Sequence, residues 1–237
     1  MRLRRLRSPL SLLLLLGAGC LGAQTSPFRI TPRRPIAELR AEALVAMPPV
    51  ETGKAAPDLI DLTSVDARIR LDIRYATADN FMGVAMYDRA TARLQRPAAE
   101  ALGRVQQALA AEGLGLLVFD AYRPWYVTKM FWEATPDSQR VFVADPSRGS
   151  RHNRGAAVDL TLYDLRTGAP LPMPSGYDEF TERAYPDYAG GTEAERANRA
   201  RLRRAMEAEG FTVYEAEWWH FDFRGWESWA LGNTPGA

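Results

Sequence analysis

Histidine and cysteine are scarce in this 237-residue chain, which has two histidines, His152 and His220, and one cysteine, Cys20. One thiol cannot close an intramolecular disulfide, and a multi-cysteine zinc site is excluded with it. Charge of one sign is also missing. The 30 Lys and Arg against 29 Asp and Glu leave a net charge of +1, with no basic excess to neutralise phosphates, so nucleic acid is not an expected partner. A small neutral or zwitterionic substrate fits better. Long apolar runs are lacking as well: residues 10–16 are leucine-rich but too short to span a bilayer.

That short run has a purpose at the N-terminus. Arg2, Arg4, Arg5 and Arg7 precede it and a small-residue exit follows, so residues 1–23 read as an export signal. Cys20 lies in the exit and has two readings. It is either the lipidation site of a cell-envelope lipoprotein or is removed with the signal, Gly17 standing where lipoprotein signals usually have leucine. The mature protein is expected in the periplasm or lipid-anchored to the envelope.

Residues 24–57 carry Pro27, Pro32, Pro35, Pro48, Pro49 and Pro57, a density that opposes long helices and central strands. They predict an extended tether with one short helix over residues 36–45. The remainder, residues 58–237, suits one domain with its own core. Ile69, Leu71, Ile73 and Tyr75 alternate with charged residues as in a half-buried strand. Pro97 opens a helix whose Ala98, Leu102, Val105 and Leu109 share one face, and residues 116–119 form a buried strand. Pro124 starts a further helix, and Thr192 with Glu195 makes a capping box for another. Residues 211–214 and 218–223 predict a hairpin. The fold expected is α+β: one domain, a central antiparallel sheet with helices packed on it, and a cleft at the sheet surface.

Residues 150–159, Ser-Arg-His-Asn-Arg-Gly-Ala-Ala-Val-Asp, form a polar loop that turns at Gly155 and runs into a strand. On that strand Asp159 would share a face with Ala157 and Thr161, where His152 could fold back. A buried aspartate must be paired or bound to a cation. The second histidine stands in Glu217-Trp218-Trp219-His220. Two histidines and one carboxylate leave a fourth position open on a tetrahedral zinc ion, the mark of a catalytic site. Glu217 can then serve as general base, provided the chain bends near it, because residues three apart in a regular strand face opposite ways. Glu217 is therefore expected on a turn. Arg123, fixed between a strand and a helix, is a candidate to stabilise an oxyanion; its bland alternative is a surface ion pair with Asp120. Ser150 as a loop cap and Asp178 as a turn residue are the corresponding bland readings there.

These residues also carry a family resemblance. Ser150-x-His152-x-x-Gly155-x-Ala157-x-Asp159, followed by Glu217-Trp218-Trp219-His220, resembles the zinc D-alanyl-D-alanine dipeptidases and their D,D-carboxypeptidase relatives. Asp120-Ala121-Tyr122-Arg123-Pro124 and the segment at residues 75–81 resemble further parts of the dipeptidase branch. The resemblance implies one zinc ion per chain held by His152, Asp159 and His220, with Glu217 as general base and Arg123 stabilising the tetrahedral intermediate. It further implies that Ser150 and Asp178 hold the substrate ammonium. Hydrolysis of D-alanyl-D-alanine is the expected activity. The alternatives are a D,D- or L,D-carboxypeptidase trimming peptidoglycan stem peptides, and a non-catalytic zinc-containing peptidoglycan-binding module.

Overall fold

A computed structural model describes residues 28–234, so the segment expected to be an export signal and Cys20 lie outside the described residues. Among the described residues no helix is long and apolar enough to cross a membrane. In chain order the elements are α1 (Ile36–Val45), β1 (Leu59–Asp61), α2 (Leu62–Val65), β2 (Arg70–Leu71), β3 (Arg93–Gln95) and α3 (Arg96–Ala110). They continue with β4 (Leu114–Asp120), α4 (Trp125–Ala134), β5 (Ala157–Asp164), α5 (Glu193–Ala208), β6 (Phe211–Tyr214) and β7 (Glu217–Phe223). The fold is α+β, as expected.

The main sheet has the order β2-β4-β5-β7-β6, and β1 pairs with β3 in a separate ribbon. One correction to an all-antiparallel sheet is needed at its edge, where β2 runs parallel to β4. The connection between them carries β3 and α3, the long crossover that a parallel pair requires. The strand expected over residues 69–75 is correspondingly short. After Leu71 the ladder makes one more bond, from the Asp72 N–H to the Val118 carbonyl, and the chain then tightens into a 3-10 turn at Arg74–Ala76. Buried Arg74, paired with Asp72 and Asp79 at 2.8 and 2.5 Å, fixes that turn, and Ile73 and Tyr75 still reach the core.

The apolar faces read from the sequence are those that pack. Ala98, Leu102, Val105 and Leu109 of α3 are all buried, and Leu202 and Met206 anchor α5. Val158, Leu160 and Leu162 of β5 are fully buried in the same core. Thr192 and Glu195 form the reciprocal capping box, the Thr192 hydroxyl accepting from the Glu195 N–H and the Glu195 carboxylate from the Thr192 N–H. The expected helix over residues 36–45 forms as α1. It lies against α4 with Leu39 and Ala43 buried in the common core, so this part of the proline-rich segment runs along the domain.

Two irregularities in the ladders shape the cleft. β4 gains a residue relative to β5 between Val118 and Asp120, which brings Asp120 opposite Asp159. Asp159 in turn lies opposite His220. Cross-strand partners project from the same face, so Asp120, Asp159 and His220 form one polar row across three strands.

Candidate metal centre

The loop before β5 is held from several sides. The Ser150 hydroxyl accepts the His152 N–H, and the Asn153 side-chain amide donates to the Arg123 carbonyl and the Thr128 hydroxyl at 2.8 and 2.9 Å. His152–Arg154 makes a 3-10 turn that ends at Gly155 with φ of 63°. Glycine is required there twice over: the backbone is left-handed, and a Cβ would stand 2.4 Å from the Leu59 side chain. The turn thus delivers His152 beside Asp159.

Glu217 is the first residue of β7 rather than part of a turn. The bend it needs comes from the pairing of β6 with β7. Val213 pairs with Phe221 but Tyr214 pairs with Glu217, so residues 218–220 bulge from the ladder. This irregularity brings a Glu217 carboxylate oxygen to 3.8 Å from His220 Nδ1.

Three ligand atoms converge. His152 Nε2 lies 3.3 Å from Asp159 Oδ1, His220 Nδ1 lies 3.1 Å from the same oxygen, and the two nitrogens are 3.1 Å apart. Ligands at zinc distances in tetrahedral geometry are separated by about 3.3 Å. The tautomers point the same way. His152 Nδ1–H donates to the Ala121 carbonyl at 2.7 Å and His220 Nε2–H to Asp222 at 2.9 Å, so each ring turns a lone pair toward Asp159. Asp159 Oδ1 is buried without a hydrogen-bond donor, while Oδ2 accepts from the Tyr177 hydroxyl at 2.9 Å. Three electron-rich atoms facing one another in a buried site need a cation between them.

The electrostatics agree. Burial disfavours a charged His220, yet the Asp222 and Asp159 carboxylates outweigh it and lift its pKa to about 10. Burial likewise favours a neutral Asp159, but the facing His152 and His220 imidazoles pull its carboxyl far below the ordinary range. Both shifts say that this pocket demands positive charge. Glu217 is pushed up to about 8, chiefly by burial and further by Asp159, against the pull of His220 and Arg123.

Arg123 is buried, so it is not a surface residue, although it does pair with Asp120 at 2.8 Å. That ion pair leaves the guanidinium 3.7 Å from Asp159 and on the wall of the cleft. Ser150 and Asp178 also line this cleft, which has an empty volume of about 610 Å³ open to solvent. Asp178 sits in a left-handed conformation with φ of 57° and accepts the Tyr75 hydroxyl on both carboxylate oxygens at 3.0 Å. Burial raises its pKa well above the usual carboxylate range, and Asp159 and Glu217 add to the effect.

Sequence reasoning passed over Asp222, Tyr177, Tyr75 and Asn153. Asp222 was within reach, since a strand places residues two apart on one face and His220 needs an acceptor for its second nitrogen. Tyr177 and Tyr75 lie far along the chain from their partners Asp159 and Asp178, so nothing local announced those contacts.

The family model described as the D-Ala-D-Ala dipeptidases of peptidase family M15 matches residues 55–227. The D-alanyl-D-alanine dipeptidase of Escherichia coli is 38% identical over 165 residues, covering 70% of this chain and 84% of that protein. Those of Enterococcus faecium and Streptomyces coelicolor are 36% and 37% identical over 174 residues, each covering 66% of this chain and 86% of the relative.

Proposed function

The chain belongs to the M15 family of D-Ala-D-Ala dipeptidases, and from that membership we infer that it is a zinc peptidase that hydrolyses D-alanyl-D-alanine to free D-alanine. The single observation that carries the metal is the orphaned Asp159 Oδ1 facing two histidine lone pairs. His152, Asp159 and His220 would hold one zinc ion and leave a coordination position for the reaction. When bound, zinc supplies Lewis acidity toward the scissile carbonyl and makes water a better nucleophile near neutral pH.

The remaining work falls to the chain's own groups. Glu217 takes a proton from the attacking water as its oxygen bonds to the carbonyl carbon. As the C–N bond breaks, the same carboxyl returns that proton to the leaving amine. A cation held by the three ligands would suit Glu217 to this role, because burial, even against the pull of His220 and Arg123, otherwise keeps the group protonated up to about pH 8. Arg123, fixed in orientation by Asp120, is placed to gather charge on the carbonyl oxygen. Asp178 and Ser150 are assigned to the substrate ammonium, and an arriving cation would offset the burial and the neighbouring carboxylates that keep Asp178 neutral. A carboxylate on the cleft wall that can pair with a free amine favours a free dipeptide over a longer stem peptide. The leader at residues 1–23 supports a role in cell-envelope dipeptide turnover, soluble in the periplasm or anchored through Cys20.

The test is release of D-alanine from D-alanyl-D-alanine by the purified protein, with added zinc and with chelator, beside a pentapeptide ending in D-Ala-D-Ala. Zinc-dependent cleavage of the dipeptide alone is expected. Cleavage of the pentapeptide moves the function to a carboxypeptidase, and zinc binding without any cleavage moves it to a binding module.

A further inference from the structure

We propose that Glu51, which precedes the family-matched residues, is a positioning residue for the metal centre, acting through a partly buried ion pair with Arg154 of the histidine loop. This rests on the metal reading of the site given above. The Arg154 side chain is 6% exposed and Glu51 meets it with both oxygens, at 2.8 and 2.9 Å. A bidentate pair of this kind fixes direction as well as distance. Arg154 also donates to the Trp229 carbonyl and stacks over the Trp226 ring at 5.4 Å.

Arg154 closes the same 3-10 turn that begins with His152, and only Asn153 stands between it and the metal-facing imidazole. The turn is further tied by Gln95, whose side chain donates to the Arg154 carbonyl at 2.8 Å. Glu51 does more than neutralise Arg154. It accepts the Leu231 N–H at 3.0 Å, and the segment so anchored continues to Gly232, whose N–H donates to the Asn153 carbonyl and whose carbonyl accepts the Trp125 N–H. One carboxylate thereby locks the C-terminal segment against both the histidine loop and the start of α4. Nearby Ala55 bridges to Trp229 and Lys54 donates to the Glu227 carbonyl, so the approach of Glu51 is guided by its own backbone.

Removing the carboxylate leaves a guanidinium in a mostly buried place without its countercharge, and such a group moves toward water. The short turn must move with it, and metal sites tolerate only about 0.2 Å of error in ligand position. Loss of Glu51 is therefore felt in zinc affinity and not only in the stability of the fold.

The experiment measures zinc dissociation constants of the full chain by competition with a chromophoric chelator at 25 °C, well below the melting temperature, for wild type, Glu51→Gln, Arg154→Gln and the double variant. Each single substitution is expected to weaken zinc binding about tenfold, the scale of lost outer-shell support. The double variant should bind no more weakly than either single one, because both remove the same pair. Wild-type zinc affinity with only a lowered melting temperature would overturn the proposal, and so would losses that simply add. If one single variant fails to fold, the other carries the test. Zinc is read here without substrate, so a wild type that binds zinc but cleaves no dipeptide refutes the catalytic reading and leaves this one standing.

Discussion

Replacing Glu217 by glutamine removes a proton acceptor while keeping the shape of the side chain. Glu217 is buried at the head of β7, and its carboxylate stands 3.8 Å from His220 Nδ1, close enough to serve a water at the metal position yet outside the three-atom ligand set. A general base contributes roughly 10²–10⁴-fold to a rate, or about 3–5 kcal/mol at ~1.4 kcal/mol per factor of ten. Asp178, the other cleft carboxylate outside the ligand set, is engaged by Tyr75 and held neutral, so it is a poor substitute and the loss should fall toward the upper end. We expect kcat to fall at least a hundredfold with one zinc still bound per chain. The assay is D-alanine release under saturating dipeptide, with zinc content measured on the same preparation. A zinc-replete Glu217→Gln protein that keeps kcat within tenfold of wild type would refute the reasoning, and loss of zinc would show that Glu217 is a ligand instead.

Asp222→Ala removes the acceptor that orients His220 and should weaken zinc binding by about 10–100-fold, with Asp222→Asn, which can still accept the Nε2–H, falling between it and wild type; equal affinities by chelator competition would sink the orienting role. In chelator, the protein should lose stability as pH rises from about 5 to 10. Glu217 and His220 have folded pKa values raised to about 8 and about 10, so the stability they contribute is present below their unfolded values near 4.5 and 6.5 and is lost as pH climbs through the folded ones. A chelated melting temperature that climbs over this window would contradict the sign, and Glu217→Gln should flatten its lower half. Thr192→Ala breaks the capping box of α5 and should cost about 1 kcal/mol, read as a melting temperature lower by roughly 2–4 °C with unchanged kinetics.

Much of the site was legible because its chemistry is written in local patterns. Scarcity of histidine leaves few ligand sets, the glycine turn predicts a loop that feeds a strand, and helical spacing places the buried face of α3 without knowledge of its neighbours. Local pattern also bounds α1 and the α5 cap, since both depend on residues within a few positions of one another. What remained hidden depends on contacts between distant residues. The parallel edge at β2, the extra residue in β4 that sets Asp120 against Asp159, and the bulge at residues 218–220 that lets Glu217 share a site with His220 all belong to strand register. Register is decided by which side chains fill the core together, and no stretch of one strand contains that information.

The identity of the metal-facing side chains and the sign of the charge they require were determined by the sequence itself, because donor atoms and their scarcity are properties of residues. Only the tertiary structure decided which nitrogen of His152 faces the site, that Tyr177 supports Asp159, and that the segment before residue 55 reaches back to the histidine loop through Glu51. Those outcomes rest on hydrogen bonds between residues 18 to 103 positions apart, which exist only once packing has brought the partners together.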